Sequence, residues 1–161
     1  MNILNSSVGK DANRRKDQKN KLVSYISKKY ETVCIQDENI KEWKETYFGK
    51  QVRSSAVGGI MRALRRKAHT LKVVGKYIPT SQLCLNKLSD GSLCFNLNKF
   101  SLDERTYTCE CGNSQDRDPH SACSILEIGT GRIDIKEIEK VLSEHTHYKS
   151  PMEGASSAPL A

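Results

Sequence analysis

The sequence predicts an α/β fold with a small four-cysteine zinc module set into it, and three observations point there. Helix-like and strand-like periodicities alternate through the first eighty of its 161 residues. Four cysteines then arrive in two groups, Cys84 with Cys94 and Cys109 with Cys111. Directly behind them, the triplet Asp116-Arg117-Asp118 opens a short apolar helix pattern. Grouped thiolates suit tetrahedral zinc, whereas carboxylate oxygen suits a hard cation such as Mg²⁺.

Taken in order, residues 1–9 are expected to be disordered. From Lys10 to Lys29 the pattern is helical, with Leu22, Ile26 and Tyr30 four residues apart and Arg14, Arg15, Lys16, Lys19, Lys21, Lys28 and Lys29 on the other faces. Such a run is either a solvated face or a phosphate-contacting one. The stretch 32–40 starts as a short buried strand (Val33, Cys34, Ile35) and turns acidic at Gln36-Asp37-Glu38. A helix follows from Ser54 to His69, its apolar stripe formed by Val57, Ile60, Met61, Leu64 and Ala68 and its outer face by Arg53, Arg62, Arg65, Arg66 and Lys67. A second strand, Leu71 onward, ends at Pro79. Residues 10–80 thus form one helix–strand–helix–strand segment, 81–112 the zinc ribbon, 113–130 a closing motif with its helix, and 131–161 a last helix (Ile135, Ile138, Val141, Leu142) with a small, polar, disordered tail.

A net charge of +7 and a pI near 9.1 suit a polyanionic partner, nucleic acid being the commonest; plain solubility is the alternative. The N-terminal residues have no apolar core of a signal peptide, and no apolar run approaches the roughly 20 residues a membrane span needs. A cytoplasmic chain with no membrane partner is expected, where reduced thiols bind metal more often than they pair. Cys34 in a strand and Cys123 on a helix read as buried small residues, which leaves the other four for zinc.

Within the module, Cys109-Glu110-Cys111-Gly112 is a tight knuckle in which glycine relieves the turn. The first knuckle is irregular, because nine residues separate Cys84 from Cys94. A loop of that length can be extruded without parting its ends. Residues 101–108 alternate like a ribbon strand. So small a module has little core, and zinc would supply much of its folding free energy.

Asp118 precedes Pro119, and the pair fits an N-cap followed by the first helical residue; a Mg²⁺ ligand is the other reading. Along the first strand, side chains alternate, so Gln36 and Glu38 share a face. Two-metal phosphodiester hydrolysis needs several converging carboxylates. Glu38 and Asp118 are the two candidates.

These segments together resemble the C-terminal half of TnpB/OrfB, the transposon-encoded RNA-guided nucleases related to type V CRISPR effectors and to Fanzor. The resemblance runs from Ala12 to Glu127. Residues 12–40 look like that family's basic helix leading into its second acidic RuvC strand, and 49–68 like the next helix. Residues 77–84, 97–112 and 116–126 look like its zinc ribbon and closing RuvC motif. The resemblance implies a partial ribonuclease H-like (RuvC) fold lacking its first strands, with an inserted four-cysteine zinc ribbon. It implies metal-dependent DNA cleavage guided by RNA, with Mg²⁺ held by an Asp, a Glu and an Asp. Residue by residue, Asp118 matches the last of these carboxylates, and Cys84, Cys94, Cys109 and Cys111 match the zinc ligands. Gln36 stands at the glutamate position, so Glu38, two residues on and on the same face, is the candidate ligand. His120 stands where asparagine is common, and Phe95 where the first knuckle commonly has glycine. The strand bearing the first aspartate and the N-terminal recognition modules have no counterpart in the sequence. The expectation is a truncated member, a transposon-associated DNA- and RNA-binding protein inactive alone. A separately encoded N-terminal half would be its partner. Arg14, Arg15, Lys19, Arg62, Arg65 and Arg66 would contact nucleic acid. The alternative is a non-catalytic zinc-ribbon regulator or subunit.

Overall fold

Helix α1 runs from Leu4 to Lys29 in a computed structural model that describes residues 4–38, 40, 56–101 and 103–145. The helix begins six residues before the expected Lys10, so most of the stretch expected to be disordered is helical backbone. The expected tail, 150–161, lies outside the described residues. The chain divides into two units, Met1–Val73 and Val74–Ala161.

In the first unit, β1 (Thr32–Gln36) pairs with β2 (Thr70–Val74), and α2 (Val57–Lys67) lies between them in sequence. Helix α1 packs against α2 through Val23, Ala63 and Leu64, with Ile26, Val33, Ile35, Ile60 and Leu71 closing around them. The seam is not the Leu22–Ile26–Tyr30 row, since Leu22 and Tyr30 are about half exposed. A strict four-residue spacing drifts some 40° per step around a 3.6-residue helix. Val23, Ile26 and Ser27, at three and four, hold one face. On α2 the buried positions are Met61, Ala63 and Leu64, while Val57 is exposed. A Cβ at Gly59 would lie 3.2 Å from Lys19 Cδ on α1, close enough that the lysine side chain would have to shift slightly. The expected start of α2 at Ser54 lies outside the described residues. Strand β2 stops at Val74, short of Pro79, because a turn closes there with Ile78 N–H donating to Gly75 O at 3.2 Å. Cys34 is half-buried rather than buried.

In the second unit, β3 (Thr106–Thr108) pairs antiparallel with β4 (Ser114–Asp116), with Tyr107 opposite Gln115. Helices α3 (Arg117–Gly129) and α4 (Ile135–Glu144) follow. One apolar core serves the whole unit: Val74, Ile78, Leu83, Ile128, Ile133, Ile138 and Leu142 are buried together. Leu85, Leu93, Phe95 and Leu97 of the cysteine module pack onto it, so the module is fastened to the helices by hydrophobic burial as well as by its thiols. Cys123 is exposed, contrary to the buried helix position expected of it. No described helix is long and apolar enough to cross a membrane.

Candidate metal centre

The sulfur atoms of Cys84, Cys94, Cys109 and Cys111 all lie within 4.8 Å of one another. Cys84 Sγ is 3.6 Å from Cys111 Sγ, and Cys94 Sγ is 3.6 Å from Cys109 Sγ. A tetrahedron with zinc–sulfur bonds of about 2.3 Å has sulfur–sulfur edges of about 3.8 Å, so the four thiols fit a zinc-sized ion. Among the described residues this is the one cluster of His, Cys, Asp or Glu that could hold a metal.

Two knuckles with the same backbone pattern build the cluster. In the second, Cys109 N–H donates to Asn113 O (2.9 Å) and Gly112 N–H to Cys109 O (2.9 Å). In the first, Cys84 N–H donates to Asn96 O (2.8 Å) and Phe95 N–H to Cys84 O (2.9 Å). The nine-residue gap is therefore not a loose insertion. It is a hairpin whose arms are tied by Cys94 N–H to Asn86 O (2.9 Å) and Leu88 N–H to Ser92 O (2.8 Å). Antiparallel bridges at Leu83–Leu97 and Lys87–Leu93 continue it. Gly91, at φ 87°, takes the left-handed turn position, and Asp90 Oδ1 accepts from Ser92 N–H (2.9 Å) and Oγ–H (2.6 Å). The hairpin brings Cys94 back beside Cys84 as though the gap were short.

Side-chain amides surround the sulfurs. Asn86 Nδ2 donates to Cys111 Sγ at 3.6 Å, Asn96 Nδ2 to Cys109 Sγ at 3.7 Å and Asn113 Nδ2 to Cys84 Sγ at 3.7 Å. The thiols do not titrate alike. Burial pushes Cys84 up and Cys94 up to about 12. At Cys109 burial is outweighed by donors, the Cys111 amide foremost, and the thiol falls to about 6. Metal binding at neutral pH must therefore displace protons from Cys84 and Cys94, which burial keeps protonated.

Helix α3 begins differently from the sequence reading. Its N-cap is Asp116, whose Oδ1 accepts Asp118 N–H at 3.0 Å; Asp118 is not the cap, and Pro119 is the third helical residue. That position needs no intrahelical N–H, so proline is tolerated there. Asp118 sits exposed in the first turn, where its charge favours the helix N-terminus.

His120, one turn on, is buried and stacked on Tyr107 with ring centroids 3.5 Å apart. Leu83 O can only accept, so His120 Nε2 carries the proton it donates across 3.0 Å, and Nδ1 accepts from Gln115 Nε2 at 3.0 Å. Burial lowers the His120 pKa, partly offset by the Leu83 carbonyl. A neutral imidazole thus ties α3 to the residue before Cys84. Tyr107 had no signal in the sequence beyond an alternating strand pattern, and Gln115 had none.

The remaining candidates belong to the first unit. Glu38 follows β1 and is half-buried, with its carboxyl pushed up by burial and then by neighbouring Asp37. Asp37 Oδ1 pairs with Arg65 Nη2 at 2.9 Å, so that arginine is engaged within the unit. Arg14, Arg62 and Arg66 are exposed. Arg15 and Lys19 join Gln18, Leu22, Ala56 and Ile60 around an open cleft of about 300 Å³.

Over 121 residues the chain is 28% identical to a protein of Streptomyces pristinaespiralis named "Putative RNA-guided DNA endonuclease". The alignment covers 72% of this chain and 29% of that protein, so the chain spans less than a third of its relative's length. No family model matches the chain. The similarity supports a relationship to nucleases, and the four-cysteine cluster supports a metal such as zinc.

Proposed function

We propose that this chain is the zinc-ribbon and closing-motif portion of a RuvC-type nuclease of the TnpB/OrfB kind, a nucleic-acid-binding protein that does not cut DNA unaided. The carrying observation is the juxtaposition of a four-thiol cluster, built from two matched knuckles, with an Asp116-capped helix presenting Asp118 in its first turn. The similarity to the Streptomyces protein supports it over 72% of the chain. Zinc in the ribbon is structural. Mg²⁺ would supply charge stabilisation and a water nucleophile in the full nuclease site, with Asp118 and Glu38 as its carboxylates here. These residues provide two such groups, and the resemblance calls for a third from outside them. DNA and guide-type RNA are the partners, held through Arg14, Arg15, Lys19, Arg62 and Arg66, whose charge suits phosphate. Transposon association and a cytoplasmic setting belong to the same reading.

Gln36, in the place where the resemblance calls for glutamate, favours a second reading: a non-catalytic zinc-ribbon regulator or subunit. Both readings expect salt-sensitive binding to single-stranded RNA and DNA. They part when the chain is mixed with the N-terminal half of a related nuclease and Mg²⁺. Cleavage that appears in the mixture and disappears with Asp118→Ala favours the nuclease reading; binding without cleavage favours the regulator. Robust cutting by the isolated chain, abolished by Asp118→Ala, would contradict the proposal of inactivity.

A further inference from the structure

The knuckle repeat extends beyond the cysteines. Cys94-Phe95-Asn96 and Cys111-Gly112-Asn113 occupy equivalent places, and each asparagine reaches across to a cysteine that opens the other knuckle: Asn96 to Cys109, Asn113 to Cys84. Asn86, from the hairpin arm, reaches Cys111. Three of the four sulfurs thus receive a carboxamide N–H. Among the described residues none reaches Cys94, which is half-buried.

We infer that Asn86, Asn96 and Asn113 are positioning residues of the metal centre that quench the thiolates they touch, and that Cys94 is the sulfur at which the centre opens to electrophiles. The inference rests on the zinc reading of the cluster given above. Four thiolates around a divalent ion leave a net charge of −2, which is concentrated on sulfur and makes it nucleophilic. An N–H donor to a charged acceptor stabilises it and draws that density away. Outer partners of this kind typically change metal affinity 10–100-fold when removed. The donors also fix the side chains, since each amide comes from a residue whose backbone is already held in a knuckle or hairpin. Apart from the neighbouring cluster sulfurs, the donor found at Cys94 among the described residues is a backbone one, the Asn96 N–H. Its sulfur therefore carries the most available charge. Attack on an alkylating agent such as iodoacetamide forms a carbon–sulfur bond there, expels iodide and removes one ligand from the metal.

The test uses the full chain, loaded with zinc, in a Cys34→Ser/Cys123→Ser background so that only the four cluster thiols react. Metal content is measured first. Substoichiometric iodoacetamide is then added, with peptide mass mapping to find which cysteine is modified and a chromogenic chelator to follow zinc release. Cys94 is expected first. Asn96→Ala should bring Cys109 forward and Asn86→Ala should bring Cys111 forward, each with zinc affinity 10–100-fold weaker; Asn113→Ala should show the affinity loss alone, because Cys84 is fully buried. Asn86→Leu and Asn96→Leu, which keep a similar size without charge and lose the donor, repeat the test if an alanine variant fails to fold. Cys109 or Cys111 reacting first in the chain with its asparagines intact would overturn the inference. So would an order and affinity unchanged in the asparagine variants. Failure to bind zinc at all would overturn the metal reading with it, and the metal measurement separates the two failures.

Discussion

Phe95 and Gly112 are structural equivalents: each follows the second cysteine of its knuckle, and both hold positive φ, 54° and 87°. A left-handed residue there turns the chain so that the next residue's carbonyl, Asn96 or Asn113, accepts from the N–H of the knuckle's first cysteine. Glycine adopts it freely, whereas for an ordinary side chain it costs about 1–2 kcal/mol. The phenylalanine is tolerated because its ring packs against the Leu83–Ile138 core.

That contrast sets the first prediction. Phe95→Gly relieves about 1 kcal/mol of backbone strain but forfeits part of the 3–5 kcal/mol that a buried phenylalanine is worth, so a net loss of about 1 kcal/mol is expected. Gly112→Ala should cost about 1–2 kcal/mol from backbone strain alone, since a Cβ there meets nothing within 4 Å. Chemical denaturation followed by fluorescence or circular dichroism checks both. A stabilised Phe95→Gly variant would mean that the ring contributes no packing.

Metal removal should act on one unit. The cluster and the core around Leu83 share the hairpin, so a chelator should destabilise Val74–Ala161 while the α1–α2 packing around Val23 and Leu64 keeps its protection. Hydrogen exchange with and without chelator distinguishes the units. Cys109→Ser should reproduce the chelator's pattern, and equal loss of protection in both units would contradict it.

Glu38 gives a pH signature whose sign follows from burial. Its folded pKa is raised, so the folded state favours the protonated carboxyl. The contribution to stability is fully present below the unfolded value of about 4.3 and is lost as pH rises through the folded one. Glu38→Gln should therefore be more stable than the parent chain at pH 7, with the difference shrinking as pH falls through the raised folded pKa toward the unfolded value. Thermal melts of the two proteins across pH 4–7 decide it, and a constant difference would show that burial is not what perturbs this group.

Nucleic-acid binding should be read through salt. Each lost phosphate contact lowers the slope of log affinity against log salt by about 0.7–0.9. Arg14→Ala, Arg62→Ala and Arg66→Ala should each do so, because these side chains are exposed. Arg65→Ala should do so less, its guanidinium being paired with Asp37 at 2.9 Å. An unchanged slope in the triple variant would remove these arginines from the binding surface.

The cysteines were legible because metal chemistry restricts ligand type and grouping, and α1 and α2 were legible from periodicity. What stayed hidden depends on contacts distant in sequence. The gap between Cys84 and Cys94 reads as a loop until its cross-strand bonds are seen, and Asn86, Asn96 and Asn113 read as turn residues until their amides are found on sulfur. The α3 cap was misplaced because Asp116 and Asp118 are both competent acceptors, and only the fold shows which carboxylate meets the other's N–H. His120 gave no local hint of its stack on Tyr107, since the partner strand is twelve residues away.

The most direct test of the central claim is native mass spectrometry of the purified chain. One zinc ion per chain is expected, retained through gel filtration and absent from Cys109→Ser. A cooperatively folded chain that carries no metal, or that keeps it without Cys109, would contradict the account.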